Sequence, residues 1–245
     1  MTAQRSERVK KRPRALVTGG AVRVGRAIAL ALARAGMDVA IGYHRSAGEA
    51  RRTLRALEAA GARGVAVRAD LADAAAARRL VADAARALGG LDVLVNNAAV
   101  FFRTPFASTT PAQYDQLLDV NLRGAFFCAQ AAARLMTGGG HIVNIADVGA
   151  RKRWPGYIPY TVSKAALIAF TGGVAAALRS QQVAVNCVAP GAVLRPPGMP
   201  EARWRAVTRG RVSALDDVTA AVVFFATCPS EVTGQVLYVD GGETG

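Results

Sequence analysis

The strongest constraint on this chain is an alternation that runs from one end to the other, in which a short β-like apolar run is followed by a longer run of helical periodicity. The strand-like runs are Ala15–Val17, Asp38–Gly42, Gly64–Arg68, Leu91–Val95, His141–Ile145, Val183–Val188 and Val236–Val239. Between them lie helical patterns at Arg26–Ala35, Glu49–Ala60, Ala74–Leu88, Pro111–Met136, Tyr157–Arg179 and Asp216–Thr227. Strands that alternate with helices close into right-handed βαβ crossovers, which predicts an α/β fold: one doubly wound Rossmann-type domain with a seven-stranded parallel sheet over residues 14–245. A length of 245 residues suits one such domain. Apolar residues at 52% and charged residues at 20% exclude a disordered chain. No uninterrupted apolar stretch approaches the roughly 18 residues needed to cross a bilayer, so the expectation is a soluble protein without a membrane partner.

The net charge of +14 raises the question of a nucleic-acid partner. The arginines, however, are scattered along alanine-rich helical segments such as Ala50–Ala60 and Ala74–Leu88, as on solvated helix faces. The densest basic run, Arg5 to Arg14, lacks the apolar core of a signal peptide and reads as a basic flexible tail over residues 1–13. No nucleic-acid partner is expected. Cys128, Cys187 and Cys228 are widely spaced and form no Cys/His cluster, so the chain is expected to hold neither disulfide nor metal and to reside in a reducing cytoplasm.

Directly after the first strand stands Thr18-Gly19-Gly20-Ala21-Val22-Arg23-Val24-Gly25. Glycines at such a place let the backbone turn tightly and approach a pyrophosphate, which the free N–H groups and positive dipole end of the next helix stabilise. Gly19, Arg23, Val24 and Gly25 are therefore candidate cofactor contacts. An NAD enzyme would place an acid at the end of the second strand, but here that strand runs into Tyr43-His44-Arg45-Ser46. His44, Arg45 and Ser46, with Arg23 as a second cation, suit a ribose 2′-phosphate, so the expected cofactor is NADPH. Arg45 also fits one more solvated arginine, and Asp70, after the third strand, fits either an adenine contact or a helix cap.

Three further motifs complete the pattern: Asn96-Asn97-Ala98-Ala99 after the fourth strand, Tyr160-Thr161-Val162-Ser163-Lys164 opening a long helix, and Pro190-Gly191 after the sixth strand. In this order they resemble the short-chain dehydrogenase/reductase family from Arg14 to Gly242. The resemblance implies cofactor contacts at Asn97, Pro190 and Gly191, and assigns Asn121 to a water in a proton relay. Residues four apart share a helix face, so the charge of Lys164 is expected to lower the Tyr160 pKa and make the phenol a proton donor. Lys164 is also expected to hold the nicotinamide ribose.

The departure lies thirteen residues before the tyrosine, where most of the family carries a serine that donates to the substrate carbonyl and this chain has Asp147. An ionised carboxylate only accepts hydrogen bonds and would repel a developing oxyanion. At this point the chain is similar to the pteridine reductases, through Arg23 in the glycine turn, the Tyr43–Ser46 segment, the Asp147, Tyr160 and Lys164 triplet, and Phe101 at the position of an aromatic that sandwiches a pterin. It departs from them at Ala99, where a serine contacts the ligand. That resemblance implies an NADPH-dependent reductase of a pterin C=N bond, with Asp147, Tyr160, Lys164 and Asn121 catalytic and Phe101, Arg23, Asp147 and Tyr160 against a small pterin-like substrate. Two alternatives stay open: a 3-oxoacyl or sugar carbonyl reductase in which Asp147 is an isolated replacement, and a dinucleotide-sensing regulator. Retention of Tyr160, Lys164 and Asn121 speaks against the regulator. The long helices Pro111–Met136 and Tyr157–Arg179 resemble the family's subunit contacts and imply a homotetramer. Residues 193–211 match nothing residue by residue.

Overall fold

Valine, leucine, isoleucine and alanine in runs of four to eight residues make central strands that are buried on both faces, with helices covering those faces, while the edge strands are only partly buried. The computed structural model describes residues 12–196 and 198–244. Its elements run β1 (Arg14–Val17), α1 (Arg23–Arg34), β2 (Asp38–Tyr43), α2 (Ala47–Ala59), β3 (Gly64–Arg68), α3 (Ala74–Leu88), β4 (Val93–Asn96), α4 (Pro111–Leu118), α5 (Gly124–Leu135), β5 (Gly140–Ile145), α6 (Ile158–Leu178), β6 (Val183–Pro190), α7 (Glu201–Thr208), α8 (Leu215–Thr227) and β7 (Val236–Val239). All seven strands pair in parallel in the order β3-β2-β1-β4-β5-β6-β7. The order reverses between β1 and β4, and a crevice opens outside the strand ends at such a switch point.

Alternation along the strands feeds two cores. Ala15 and Val17 face one side with Ile28 and Leu32 of α1 and Val222 of α8, whereas Leu16 faces the other with Leu80 of α3 and Cys128 and Ala132 of α5. Local signals set several helix ends. Asp73 caps α3 by accepting from the Ala75 N–H at 2.8 Å, and Gly89 closes it in the left-handed region. Thr110 and Gln113 form a capping box ahead of Pro111.

Three expectations change. The single helix expected over Pro111–Met136 is interrupted at Asp119–Arg123 by a π-helical turn, an extra residue that hydropathy periodicity does not register. Residues 201–208, within the stretch left unassigned, form α7. The basic tail expected over residues 1–13 falls largely outside the described residues, but its last two members belong to the domain. Arg12 pairs with Asp38 at 3.4 Å and donates to the Gly36 carbonyl at 3.0 Å, and Pro13 accepts from the Asp38 N–H at 2.8 Å. Helix Ile158–Gln181 is long and apolar enough to span a bilayer by composition, with mean hydropathy 1.5, yet it buries Tyr160, Ser163 and Lys164 within the fold.

Candidate active site

Two adjoining cavities open at the switch point and share Gly19, Ala98 and Ala99 in their walls. The smaller, about 440 Å³, runs along the ends of β2 and β3; the larger, about 890 Å³, extends from the glycine turn to the C-terminal end of α7.

The glycine turn is shaped by backbone proximity. Gly19 takes φ +63°, and a Cβ on Gly25 would stand 2.2 Å from the Gly19 carbonyl oxygen and 2.5 Å from Asn97 Nδ2. The Asn97 amide donates to the Thr18 carbonyl at 2.9 Å, while Thr18 Oγ1 accepts from the backbone N–H groups of Asn97 and Ala98 at 2.9 and 3.0 Å. Asn97 thus braces the turn. Among the described residues no side chain caps the start of α1, whose twelve residues leave N–H groups and a positive dipole end facing the larger cavity near Val22, Val24 and Gly25. A cradle that a Cβ would fill, ending at an uncapped helix start, fits a dinucleotide pyrophosphate.

Arg23 departs from its expected place. Its φ is +52°, a left-handed conformation in a position that suits glycine, and its guanidinium donates to the carbonyls of Leu194 and Arg195 at 3.0 and 3.1 Å. It lines the larger cavity, apart from His44, Arg45 and Ser46, and its guanidinium is engaged by the 194–195 backbone instead of standing beside them as a second cation. His44, Arg45, Ser46 and Asp70 do line the smaller cavity together. His44 and Asp70 approach to 3.7 Å, Arg68 fixes the His44 carbonyl at 3.2 Å, and Arg45 is exposed with no ion pair among the described residues. Asp70 Oδ1 also accepts from the Ala72 N–H at 3.1 Å, so it holds the β3–α3 connection as well as lining the cavity.

Tyr160, Asp147 and Lys164 come together at the floor of the larger cavity. The Tyr160 hydroxyl donates to Asp147 Oδ2 at 2.8 Å, and the other carboxylate oxygen accepts from the Gly149 N–H at 2.6 Å. Desolvation by the surrounding protein pushes the Asp147 carboxyl above its usual range, although Gly149, Tyr160 and the nearby lysines oppose the shift. The shift favours the neutral carboxyl, which can also donate a hydrogen bond, although in the structure both oxygens accept. Tyr160 departs from expectation as well: burial, then Asp147, raises its pKa well above the usual phenol value instead of lowering it. Lys164 Nζ donates to the Ile145 carbonyl at 2.8 Å and lies 5.9 Å from the Tyr160 ring centre, and burial lowers its own pKa. The phenol is thereby kept protonated, as an acid must be.

Asn121 lies outside both cavity walls. It is 1% exposed, sits in the π-helical turn, and clamps the Val100 backbone, accepting from its N–H at 2.8 Å and donating to its carbonyl and to Ser163 Oγ at 3.1 Å. Pro190 and Gly191 line the larger cavity at the end of β6. Phe101 lines it too, 41% exposed, but Tyr157 covers one face of its ring at 4.8 Å in parallel, and Tyr160 meets it edge to face at 4.7 Å. Sequence reasoning missed Tyr157, Trp154 and Trp204 as wall residues. The available signals were the aromatic pair around Pro155-Gly156 and the four-residue spacing of Glu201 and Arg205, which pair at 3.1 Å on α7.

Residues 20–244 match the family model described as Enoyl-(Acyl carrier protein) reductase. The chain is 34% identical to a 3-oxoacyl-[acyl-carrier-protein] reductase of Synechocystis, with 93% of this chain and 95% of that protein covered. It is 35% identical to an L-rhamnose 1-dehydrogenase (NAD(P)(+)) of Sphingomonas, covering 93% and 94%. A crystal structure of a short chain dehydrogenase from Burkholderia cenocepacia in complex with NADP is similar at 39% identity and a TM-score of 0.88, covering 94% and 97%. None of these three is named for a pterin.

Proposed function

The chain belongs to the short-chain dehydrogenase/reductase family, and within it we propose an NADPH-dependent carbonyl reductase in which Asp147 stands in for the family's serine. The observation that carries the acid chemistry is the 2.8 Å contact between Tyr160 and the desolvated Asp147 carboxyl, and the relatives named for a 3-oxoacyl group and for rhamnose favour one of its possible uses. In the structure Oδ1 accepts from the Gly149 N–H and Oδ2 accepts from the Tyr160 hydroxyl, so Oδ2 is the carboxyl oxygen that faces the phenol. When Asp147 is protonated, the form that its desolvation favours, this bond reverses: Oδ2–H donates to the Tyr160 oxygen and the phenol proton turns toward the substrate oxygen. As negative charge develops there, Tyr160 delivers its proton and Asp147 reloads the phenol. Lys164, anchored on the Ile145 carbonyl, places a positive charge beneath the pair. When bound, the nicotinamide supplies the hydride. The relatives named for a 3-oxoacyl group and for rhamnose support this reading over the pterin one.

NADPH is favoured by the absence of an acid at the end of β2 and by Arg45 and Ser46 in the wall of the smaller cavity. A second reading, reduction of a pterin C=N bond, draws on the same acid pair and on the exposed ring of Phe101. One substitution separates them. Asp147→Ser restores the hydroxyl donor that carbonyl reduction uses, so ketone turnover should hold or rise, while turnover of a dihydropterin should fall by roughly 10²-fold as the reloading acid is lost. A collapse of ketone turnover with indifferent pterin turnover overturns the carbonyl reading. The family resemblance also carries a homo-oligomer, since Phe126, Leu135 and Val162 stand 43–45% exposed on α5 and α6. Light scattering on the eluted protein tests it, and a monomer refutes it.

A further inference from the structure

The larger cavity has a chemical polarity that the acid pair does not use. Its floor carries Tyr160 and Asp147, and its wall is aromatic, from Phe101, Tyr157, Trp154 and Trp204. At its rim stand three arginines from separate parts of the chain: Arg103 from the β4–α4 connection, Arg203 on α7, and Arg211 beyond the end of α7. None of their guanidinium groups has a carboxylate or carbonyl partner among the described residues, whereas Arg23, Arg195 and Arg205 nearby all do. The rim's acid does not neutralise them, because Glu243 is paired with Lys152. Asp147 lies at the floor and is held toward neutrality by burial. The three exposed side chains line one cavity whose acids, among the described residues, are a desolvated carboxyl and a lysine-paired one, so its rim carries net positive charge that attracts an anion.

We infer that Arg103, Arg203 and Arg211 form a subsite for a carboxylate or phosphate at the far end of the substrate, so that the enzyme takes carbonyl compounds with a flat apolar middle and an anionic end. The inference rests on the carbonyl reading for the reacting end alone. Guanidinium groups suit this task because their planar donor sets match the oxygens of both anions. The cofactor's pyrophosphate shares that chemistry and is the competing claimant. It fits the glycine turn and the start of α1, where none of the three arginines lies.

The test uses 4-formylbenzoate and its methyl ester on the full-length enzyme with NADPH, a pair that differs by one charge on the same ring. KM for the acid is expected to be lower by roughly tenfold, and the Arg103→Gln/Arg203→Gln/Arg211→Gln variant should abolish most of that difference with kcat for the acid within about twofold of wild type. Equal KM values in the wild type, or an equal rise for both aldehydes in the variant, overturn the subsite. NADPH affinity, followed by nucleotide fluorescence, should not change. A loss there as large as the loss in KM assigns the arginines to the cofactor and overturns it too. If neither aldehyde is reduced, it is the carbonyl reading that fails, and the subsite is read separately by calorimetric titration of terephthalate and terephthalamide into the NADP⁺-loaded protein. Tighter terephthalate binding that the variant abolishes upholds the subsite, and equal binding refutes it.

Discussion

The two ends of the larger cavity are built in contrasting ways. Around the glycine turn the walls are mostly main chain: Gly19, Gly25, Thr18 and the Asn97 brace approach so closely that one added methyl group would collide. Around the substrate rim the walls are side chains carried by the 148–157 connection, the 101–108 connection and the stretch 191–213 with its short helix α7. A site made from backbone has few sequences that can make it, and its ligand is correspondingly fixed. A site made from side chains on connections can be rewritten at each position, which leaves the sheet intact and lets specificity diverge.

The contrast can be broken most severely at the acid. Tyr160→Phe removes the proton donor but no backbone wall, so kcat should fall by about 10²- to 10⁴-fold while NADPH binding, measured by fluorescence titration, stays nearly unchanged. Comparable losses in both would mean that the two regions are not separable. Gly25→Val is the converse. Its Cβ would stand 2.2 Å from the Gly19 oxygen, so nucleotide affinity should drop by roughly 10²-fold or more, and wild-type affinity would refute the backbone account of the cradle.

A smaller effect sharpens the chemistry at the floor. Because the folded-state pKa of Asp147 is raised, its neutral donor form persists below that value and is lost as pH rises through it. Carbonyl reduction should therefore decline on that limb, and folding stability should decline with it between the ordinary carboxylate range and the raised value. Asp147→Ser should remove the limb from both the rate profile and the melting-temperature profile. A limb that survives the substitution belongs to another group. Smallest is Arg45→Ala, expected to cost about tenfold in NADPH affinity and nothing for NADH, as one charge-assisted phosphate contact would. Equal losses for the two nucleotides would show Arg45 to be merely solvated.

The same contrast explains what was legible in advance. Strand and helix order followed from apolar periodicity, and the sheet and glycine turn came with it, because hydrophobic alternation and close backbone approach leave a residue-type signature. Arg23 misled because its motif position said phosphate, whereas its guanidinium reaches the Leu194 and Arg195 carbonyls, a contact across 171 residues that no local pattern encodes. Asp147 was located by spacing, but its protonation depends on desolvation by the assembled fold. Helix α7 escaped because an eight-residue helix between proline- and glycine-rich stretches offers little over two turns of periodicity, and the arginines at the cavity rim lie in separate segments that only the fold brings to one wall.

The π-helical turn at Asp119–Arg123 carries a consequence for how this gene can change. It holds one residue more than an α-helix needs, so losing a single codon there would join α4 and α5 into a more regular helix with a complete ladder of hydrogen bonds. The deletion would swing the segment upstream of it by about 100° relative to α5. If Asn121 went with that segment, its clamp on the Val100 backbone and on Ser163 would open directly beneath the wall that Phe101 occupies. Helix regularity and the Asn121 clamp therefore make opposite demands on this one residue.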